Sequence, residues 1–274
     1  KAGINRVSIG VQSFINSSLV ALGRKHSGDD AKYAIESAAK IFKRYSFDLI
    51  YGRPGQTISE WEAELSESLR YVRDHISLYQ LTIEKGTEFF NRQKLGQLVL
   101  PNIDIQADMY ELTDEILNSN GIDQYEISNY ARSGSECRHN MAYWQYDEYI
   151  GIGPGAYSRL KFGHDIEEIM MFHPPQKWLG SVLEHGHGIQ RKTRLTKSQT
   201  IEEFLMMCLR VNQGTSDSAL YDRLGMRLND IIAKKAAEQF ISLGLLLYDG
   251  NTISLTKKGL MLHSYIVPRL MPYT

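Results

Sequence analysis

Hydrophobic positions recur with two different periods along the first half of the chain. In Arg6-Val7-Ser8-Ile9-Gly10-Val11-Gln12 the apolar residues alternate, which puts Val7, Ile9 and Val11 on one face of a strand. Asn16 or Ser17 can cap a short helix through Leu22. From Gly28 the period changes: Ala31, Ala34, Ile35, Ala38, Ile41 and Phe42 fall at helical spacing behind Asp29 and Asp30, whose charges suit a positive helix end. Phe47 to Gly52 is a short apolar run, Thr57 and Glu60 form a capping box, and Trp61, Leu65, Leu69 and Val72 stripe the helix that follows. A third strand is expected from Ile76 to Glu84, a helix from Ile105 to Leu117, and a strand-like segment from Gln124 to Ser128. Strands alternating with helices predict parallel βα units covered on both faces, with ligand groups collecting at the C-terminal ends of the strands.

The second half reads differently. From Leu160 to Arg194 the pattern is weak; Pro174-Pro175 marks a stop, and Trp178, Val182 and Leu183 suggest a short helix near a domain boundary. His185 and His187 are one residue apart, but two such ligands with no third partner read as solvated loop residues. Beyond Thr196, Ile201, Phe204, Leu205, Cys208 and Leu209 mark one helix, Ser216 to Leu224 a second, and Ile231, Ala236, Phe240 and Leu243 a third. Leu245 to Tyr248, the turn Asp249-Gly250-Asn251 and Thr252 to Leu255 make a hairpin. Three helices and a hairpin are winged-helix-like. The third helix offsets Lys234 and Lys235 with Asp230 and Glu238 and lacks base-reading side chains, so a structural or substrate-covering role is preferred over nucleic-acid binding. The expected organisation is therefore 1–160, a connecting segment 161–195, and 196–274.

Composition narrows the class. A chain of 274 residues, 42% hydrophobic, can bury the core of one large domain and one small one. A formal charge of -1 gives no net drive toward nucleic acid or anionic membrane, and no apolar run approaches the roughly 20 residues of a membrane span. The two cysteines, Cys137 and Cys208, support neither a disulfide framework nor a multi-cysteine metal site, and a reducing cytoplasm is the simplest setting. The chain enters a strand almost at once, as though it began inside a domain.

Candidate chemistry concentrates between Tyr125 and Ser158. This stretch reads Tyr125-Glu126-Ile127-Ser128-Asn129-Tyr130, then Cys137-Arg138-His139-Asn140-Met141-Ala142-Tyr143-Trp144, then Gly151-Ile152-Gly153-Pro154-Gly155-Ala156-Tyr157-Ser158. His139 offers an imidazole that can ligate iron, Cys137 offers a soft alternative, and Tyr143 and Trp144 offer ring faces with polar tips. Asn140 can cap the turn or orient the histidine. By default, a lone histidine is a hydrogen-bonded structural residue, and Tyr143 and Trp144 are core.

In this order and spacing, Tyr-Glu-Ile-Ser-Asn, His-Asn-x-x-Tyr-Trp and Gly-Ile-Gly-Pro-Gly-Ala-x-Ser resemble the HemN/HemW branch of radical SAM proteins, from Lys1 to the C-terminus. That branch holds oxygen-independent coproporphyrinogen III oxidases and relatives regarded as haem chaperones; His-Asn-x-x-Tyr-Trp marks the chaperones. The resemblance implies an α/β fold, an incomplete radical SAM (βα) barrel followed by a mostly helical winged-helix-like C-terminal domain. It implies that Gln12, Arg24 and Asp48, with Thr82 beside them, contact S-adenosylmethionine, and that His139, Asn140, Tyr143 and Trp144 form a haem site with His139, or alternatively Cys137, on the iron. A carboxylate and an amide suit ribose hydroxyls or an ammonium, and a guanidinium suits a carboxylate.

One position departs from the family. Arg53 stands where its pattern has Leu, and is expected either to snorkel outward or to disturb packing. The C-x3-C-x2-C loop that holds the family's 4Fe-4S cluster is also absent, so this chain is expected to be a fragment or to draw that part from another polypeptide, which makes enzymatic activity of the chain itself an open matter. The leading expectation is haem binding and delivery to an acceptor protein. The alternatives are coproporphyrinogen III oxidation, with the tetrapyrrole as substrate rather than cargo, and, more distantly, a nucleic-acid-binding winged helix.

Overall fold

The computed structural model describes residues 3–271; Lys1, where the resemblance is expected to begin, lies outside them. The chain divides into two compact units, Lys1–Glu136 and Cys137–Thr274. The division falls inside the stretch from Tyr125 to Ser158, well before the boundary expected near residue 160.

In the first unit, β1 (Arg6–Gln12), α1 (Asn16–Ala21), α2 (Gly28–Ile41), β2 (Arg44–Tyr51), α3 (Ile58–Ser68), β3 (His75–Gln80), α4 (Glu88–Lys94), α5 (Ile103–Ser119), β4 (Asp123–Glu126) and β5 (Asn129–Ala131) follow one another. The caps explain where the helices start. Ser27 and Asp30 form the capping box of α2, Thr57 and Glu60 that of α3, and Asn102 accepts from the Ile105 amide at the head of α5. Among the described residues the sheet has five strands in the order β1-β2-β3-β5-β4. β1, β2 and β3 are parallel, as expected for βα units, but β5 runs antiparallel between β3 and β4. The sheet is thus an open, barrel-type sheet whose last step is a hairpin and not a further parallel unit.

The two faces of this sheet differ, contrary to the expectation of strands that are apolar on both sides. Phe47, Leu49, Ile76, Leu78 and Tyr130 join Ile35 of α2, Trp61 and Leu65 of α3, and Met109 and Leu117 of α5 in one buried cluster. At about 25 cal/mol per Å² of apolar surface, this layer supplies the main driving force for the unit. Trp61 stacks on Tyr51 with centroids 5.1 Å apart and donates its indole N–H to Thr113 at 2.8 Å. The intervening residues Ser8, Ser46, Asp48, His75, Ser77 and Asn129 are polar.

The second unit contains α6 (Arg138–Trp144), β6 (Tyr157–Phe162), β7 (Asp165–Met171), α7 (Pro175–His185), β8 (Ile189–Arg194), α8 (Lys197–Cys208), β9 (Thr215–Ser216), α9 (Asp217–Leu224), α10 (Leu228–Ile231), α11 (Lys234–Ser242), β10 (Leu246–Tyr248), β11 (Thr252–Leu255), α12 (Lys257–Met261) and α13 (His263–Arg269). Residues 161–195, expected as a connector, mostly form regular structure: β6, β7 and β8 are an antiparallel sheet and α7 lies between its last two strands. Cross-strand ion pairs, Arg191 with Glu168 and Lys192 with Glu167, line this sheet. The expected hairpin is β10 and β11 around Asp249-Gly250, with Gly250 at φ 90° and β9 as a third strand. Leu205, Leu209, Leu220, Leu228, Phe240, Ile253, Ile266 and Val267 are buried among the helices around it.

Candidate functional site

Within the first unit, the candidate cofactor residues follow the strands. Gln12 ends β1 in the left-handed region at φ 71°, rare for a residue with a Cβ, and lies opposite Leu49, next to Asp48 in β2. The Asp48 carboxylate accepts from Ser8 Oγ at 3.1 Å. Burial raises its pKa above the ordinary carboxylate range, against the opposing effect of the Ser77 and Ser8 hydroxyls and of Arg6. Arg24 is exposed beyond α1, after Gly23 at φ 70°, and Thr82 is exposed two residues past the end of β3. The structure therefore sets Gln12 and Asp48 side by side on neighbouring strands and places Arg24 and Thr82 on loops.

Arg53 does neither of the two things expected of it. It turns inward, 4% exposed, and grips Glu64, which is 3% exposed, with Nη2 at 2.5 Å from Oε2 and Nη1 at 3.3 Å from Oε1. Glu64 also accepts from Ser13 Oγ at 2.5 Å and from the Phe14 amide at 2.8 Å. The pair thus ties the loop after β2 and helix α3 to the residues directly after Gln12.

In the second unit, His139, Asn140, Tyr143 and Trp144 all lie on α6. His139 is exposed, and its Nε2 lies 3.4 Å from the Tyr143 hydroxyl, one helical turn on. The rings meet edge to face at 4.9 Å, and Tyr143 meets Tyr149 the same way at 4.6 Å. Tyr149 was not singled out by sequence; its place in the row depends on its backbone pairing with Arg159. Trp144 is half-buried with the Arg210 guanidinium 4.7 Å over its ring. Cys137, and not Asn140, stands at the N-cap position of the helix, without a side-chain cap bond, and is 7% exposed. The cavity beneath Tyr143, Tyr146 and Tyr149 is about 40 Å³, room for little more than water.

Residues 195–262 match the HemN C-terminal domain, which covers the part read as winged-helix-like. Over 285 residues the chain is 37% identical to a Mus musculus protein named Radical S-adenosyl methionine domain-containing protein 1, mitochondrial, covering 99% of this chain and 63% of that protein. It is 32% identical over 266 residues to the Bacillus subtilis (strain 168) protein named Heme chaperone HemW, covering 96% of this chain and 68% of that one. The chain belongs to the HemW/HemN-like family of radical SAM proteins. A solved structure described as coproporphyrinogen III oxidase (HemN) from Escherichia coli, a radical SAM enzyme, shares the fold, with a TM-score of 0.76 at 22% identity over 99% of this chain and 65% of that one. The chain spans 63% and 60% of the length of the mouse and Bos taurus relatives it matches.

The family's iron-sulfur cluster does not fit this chain's own residues. Its two cysteines are both buried and lie far apart in sequence. Among the described residues, no group of three or more His, Cys, Asp or Glu side chains is gathered to hold a metal ion. Nor is any described helix long and apolar enough to cross a membrane.

Proposed function

We propose that this chain is the haem-carrying portion of a HemW-type haem chaperone, with haem as cargo passed on to an acceptor protein. His139 is the axial ligand, and Asn140, Tyr143 and Trp144 shape its surroundings. The observation that carries this reading is the exposed imidazole of His139 at the head of an edge-to-face row with Tyr143 and Tyr149. A metal bound there reaches an imidazole nitrogen without unfolding anything, whereas Cys137 is 7% exposed. A tetrapyrrole is far too large for the 40 Å³ cavity beneath the tyrosines and so has to lie across the surface. Ile150 and Ile152, 72% and 90% exposed directly after Tyr149, offer apolar contact for such a flat ligand.

Gln12, Arg24, Asp48 and Thr82 are assigned to S-adenosylmethionine, which presents an ammonium, a carboxylate and ribose hydroxyls for them to hold. This assignment concerns recognition alone, because this chain supplies no cluster ligands. In a bacterial host the setting is the cytoplasm; the animal relatives carry a mitochondrial label.

A haemin titration followed by visible absorption tests the cargo reading, with wild type beside His139→Ala and Cys137→Ala. A saturable Soret shift, lost in His139→Ala and kept in Cys137→Ala, is the expected result. Loss only in Cys137→Ala moves the iron to sulfur, and no saturable binding in the folded wild type overturns the reading.

A further inference from the structure

The polar face of the five-stranded sheet carries one row of side chains that runs across every strand. Ser8 on β1 donates to Asp48 on β2 at 3.1 Å. Asp48 and Ser77 on β3 are direct neighbours in the parallel ladder, and Ser77 and Asn129 on β5 are direct neighbours in the antiparallel one. Ser77 Oγ donates to Asn129 Oδ1 at 2.7 Å, and the Asn129 amide nitrogen donates to the Glu126 carboxylate on β4. The Ser128 amide donates to the same Glu126 oxygen at 3.1 Å. Ser77, Asn129 and Glu126 are 4%, 3% and 0% exposed.

The direction of this row follows from donor chemistry. A carboxylate only accepts, so it fixes which end of the Asn129 amide faces it and leaves Oδ1 as an acceptor toward Ser77. A serine hydroxyl has a single proton. Asn129 Oδ1 and the Asp48 carboxylate both draw on it.

We infer that Ser77, Asn129 and Glu126 are positioning residues for Asp48: they form a buried line that sets how much of the Ser77 hydroxyl proton Asp48 receives, and with it the charge Asp48 presents to its ligand. The ligand class is the hydroxyl and ammonium groups of S-adenosylmethionine, so this part rests on the assignment of Asp48 made above. The line gives a role to Tyr-Glu-Ile-Ser-Asn, which the haem reading leaves unused. The other charged group acting on Asp48 is Arg6 from β1, whose charge favours the carboxylate; His75, two residues before Ser77 on β3, is kept neutral by burial, which lowers its pKa to about 3. His75 belongs to a separate line, 2.7 Å from Ser46 Oγ and 2.9 Å from the Tyr125 hydroxyl.

The test is a carbon-13 titration of the Asp48 carboxyl in the whole chain. Ser77→Ala removes the hydroxyl and moves the midpoint up. Asn129→Leu removes the competing acceptor, frees the proton for Asp48 and moves the midpoint down. Ser46→Ala, in the separate line, leaves it in place. If Asn129→Leu does not fold, the double variant Glu126→Leu with Asn129→Leu takes away the orphaned carboxylate as well, and the same downward movement is expected. A midpoint in the Asn129 variant that stays put or rises overturns the inference. Calorimetric binding of S-adenosylmethionine across the same pH range is a separate arm: absence of binding by wild type overturns the cofactor assignment, while the carboxyl titration still judges the line.

Discussion

Arg53→Leu puts the side chain expected from the family pattern into a place the structure has built around an ion pair. In this fold the change is harmful, and its size can be worked out. Glu64 is 3% exposed and has three donor groups: Arg53, Ser13 Oγ and the Phe14 amide. Removing one partner of a buried pair costs about 3–5 kcal/mol, because the other charge stays buried. The two donors left on Glu64 place the cost near the lower end, at roughly 3 kcal/mol. For a unit the size of Lys1–Glu136, each kcal/mol moves Tm by roughly 3 °C, so a fall of about 10 °C is expected. Arg53→Lys keeps the charge but loses the two-pronged grip, and is expected to fall between the two. Trp61 sits one turn before Glu64 on α3 and is fully buried, so with Trp144 and Trp178 replaced by Phe in every compared protein its fluorescence during a thermal melt reports on this site. If Arg53→Leu melts at or above the wild-type temperature, the argument for a stabilising buried pair fails.

Two further outcomes are expected. Burial lowers the His75 pKa to about 3, with Arg6 and Arg44 adding to it, so between roughly pH 6.5 and 3 the unfolded chain binds a proton there that the folded chain does not; stability falls with acidity through that window, and urea midpoints measured across it in His75→Gln show a shallower slope. Gly151→Ala places a Cβ 2.1 Å from the Tyr157 carbonyl oxygen, a backbone atom that cannot swing away, so the turn has to shift at a cost of about 1–3 kcal/mol, and the paired Tyr149 and Arg159 amides exchange hydrogen faster; unchanged exchange refutes the clash.

Features set by neighbours in the chain were legible from sequence. The Thr57 and Glu60 box, the start of the apolar stripe of α3 and the Asp249-Gly250 turn depend on residues within a few positions of one another, and the box and the turn lie where the pattern puts them. Helix α3 ends at Ser68, so Trp61 and Leu65 of the stripe are on the helix, Leu69 is its C-cap and Val72 lies beyond it. Helix α2 opens at Gly28, as its pattern indicates, but its capping box, Ser27 with Asp30, is not singled out by that pattern. Features that depend on distant partners were not legible. β5 is three residues long, too short to show a period, and its place between β3 and β4 comes from ladder bonds to both. The sheet of β6, β7 and β8 hid because Glu167, Glu168, Arg191 and Lys192 pair across strands and blur the apolar alternation. Arg53 is not legible because its partner, Glu64, lies inside α3, eleven residues on and across the loop that follows β2.

The stretch from Tyr125 to Ser158 shows how one dense run of polar and aromatic residues can serve two ends. Candidate chemistry concentrates along all of it, yet the boundary after Glu136 cuts through it. Its first part supplies Glu126 and Asn129 to the polar row of the sheet, where they bond to each other, to Ser128 and to Ser77. Its second part supplies His139, Tyr143 and Tyr149, whose rings meet at a surface with the imidazole exposed. The clue to the difference lies in strands elsewhere: β2 alternates Tyr45, Phe47 and Leu49 with Ser46 and Asp48, and β3 alternates Ile76 and Leu78 with His75 and Ser77. A strand apolar on both faces has no use for that alternation. Polar residues in register on adjacent strands require partners of their own kind, and Tyr-Glu-Ile-Ser-Asn is where the chain provides them.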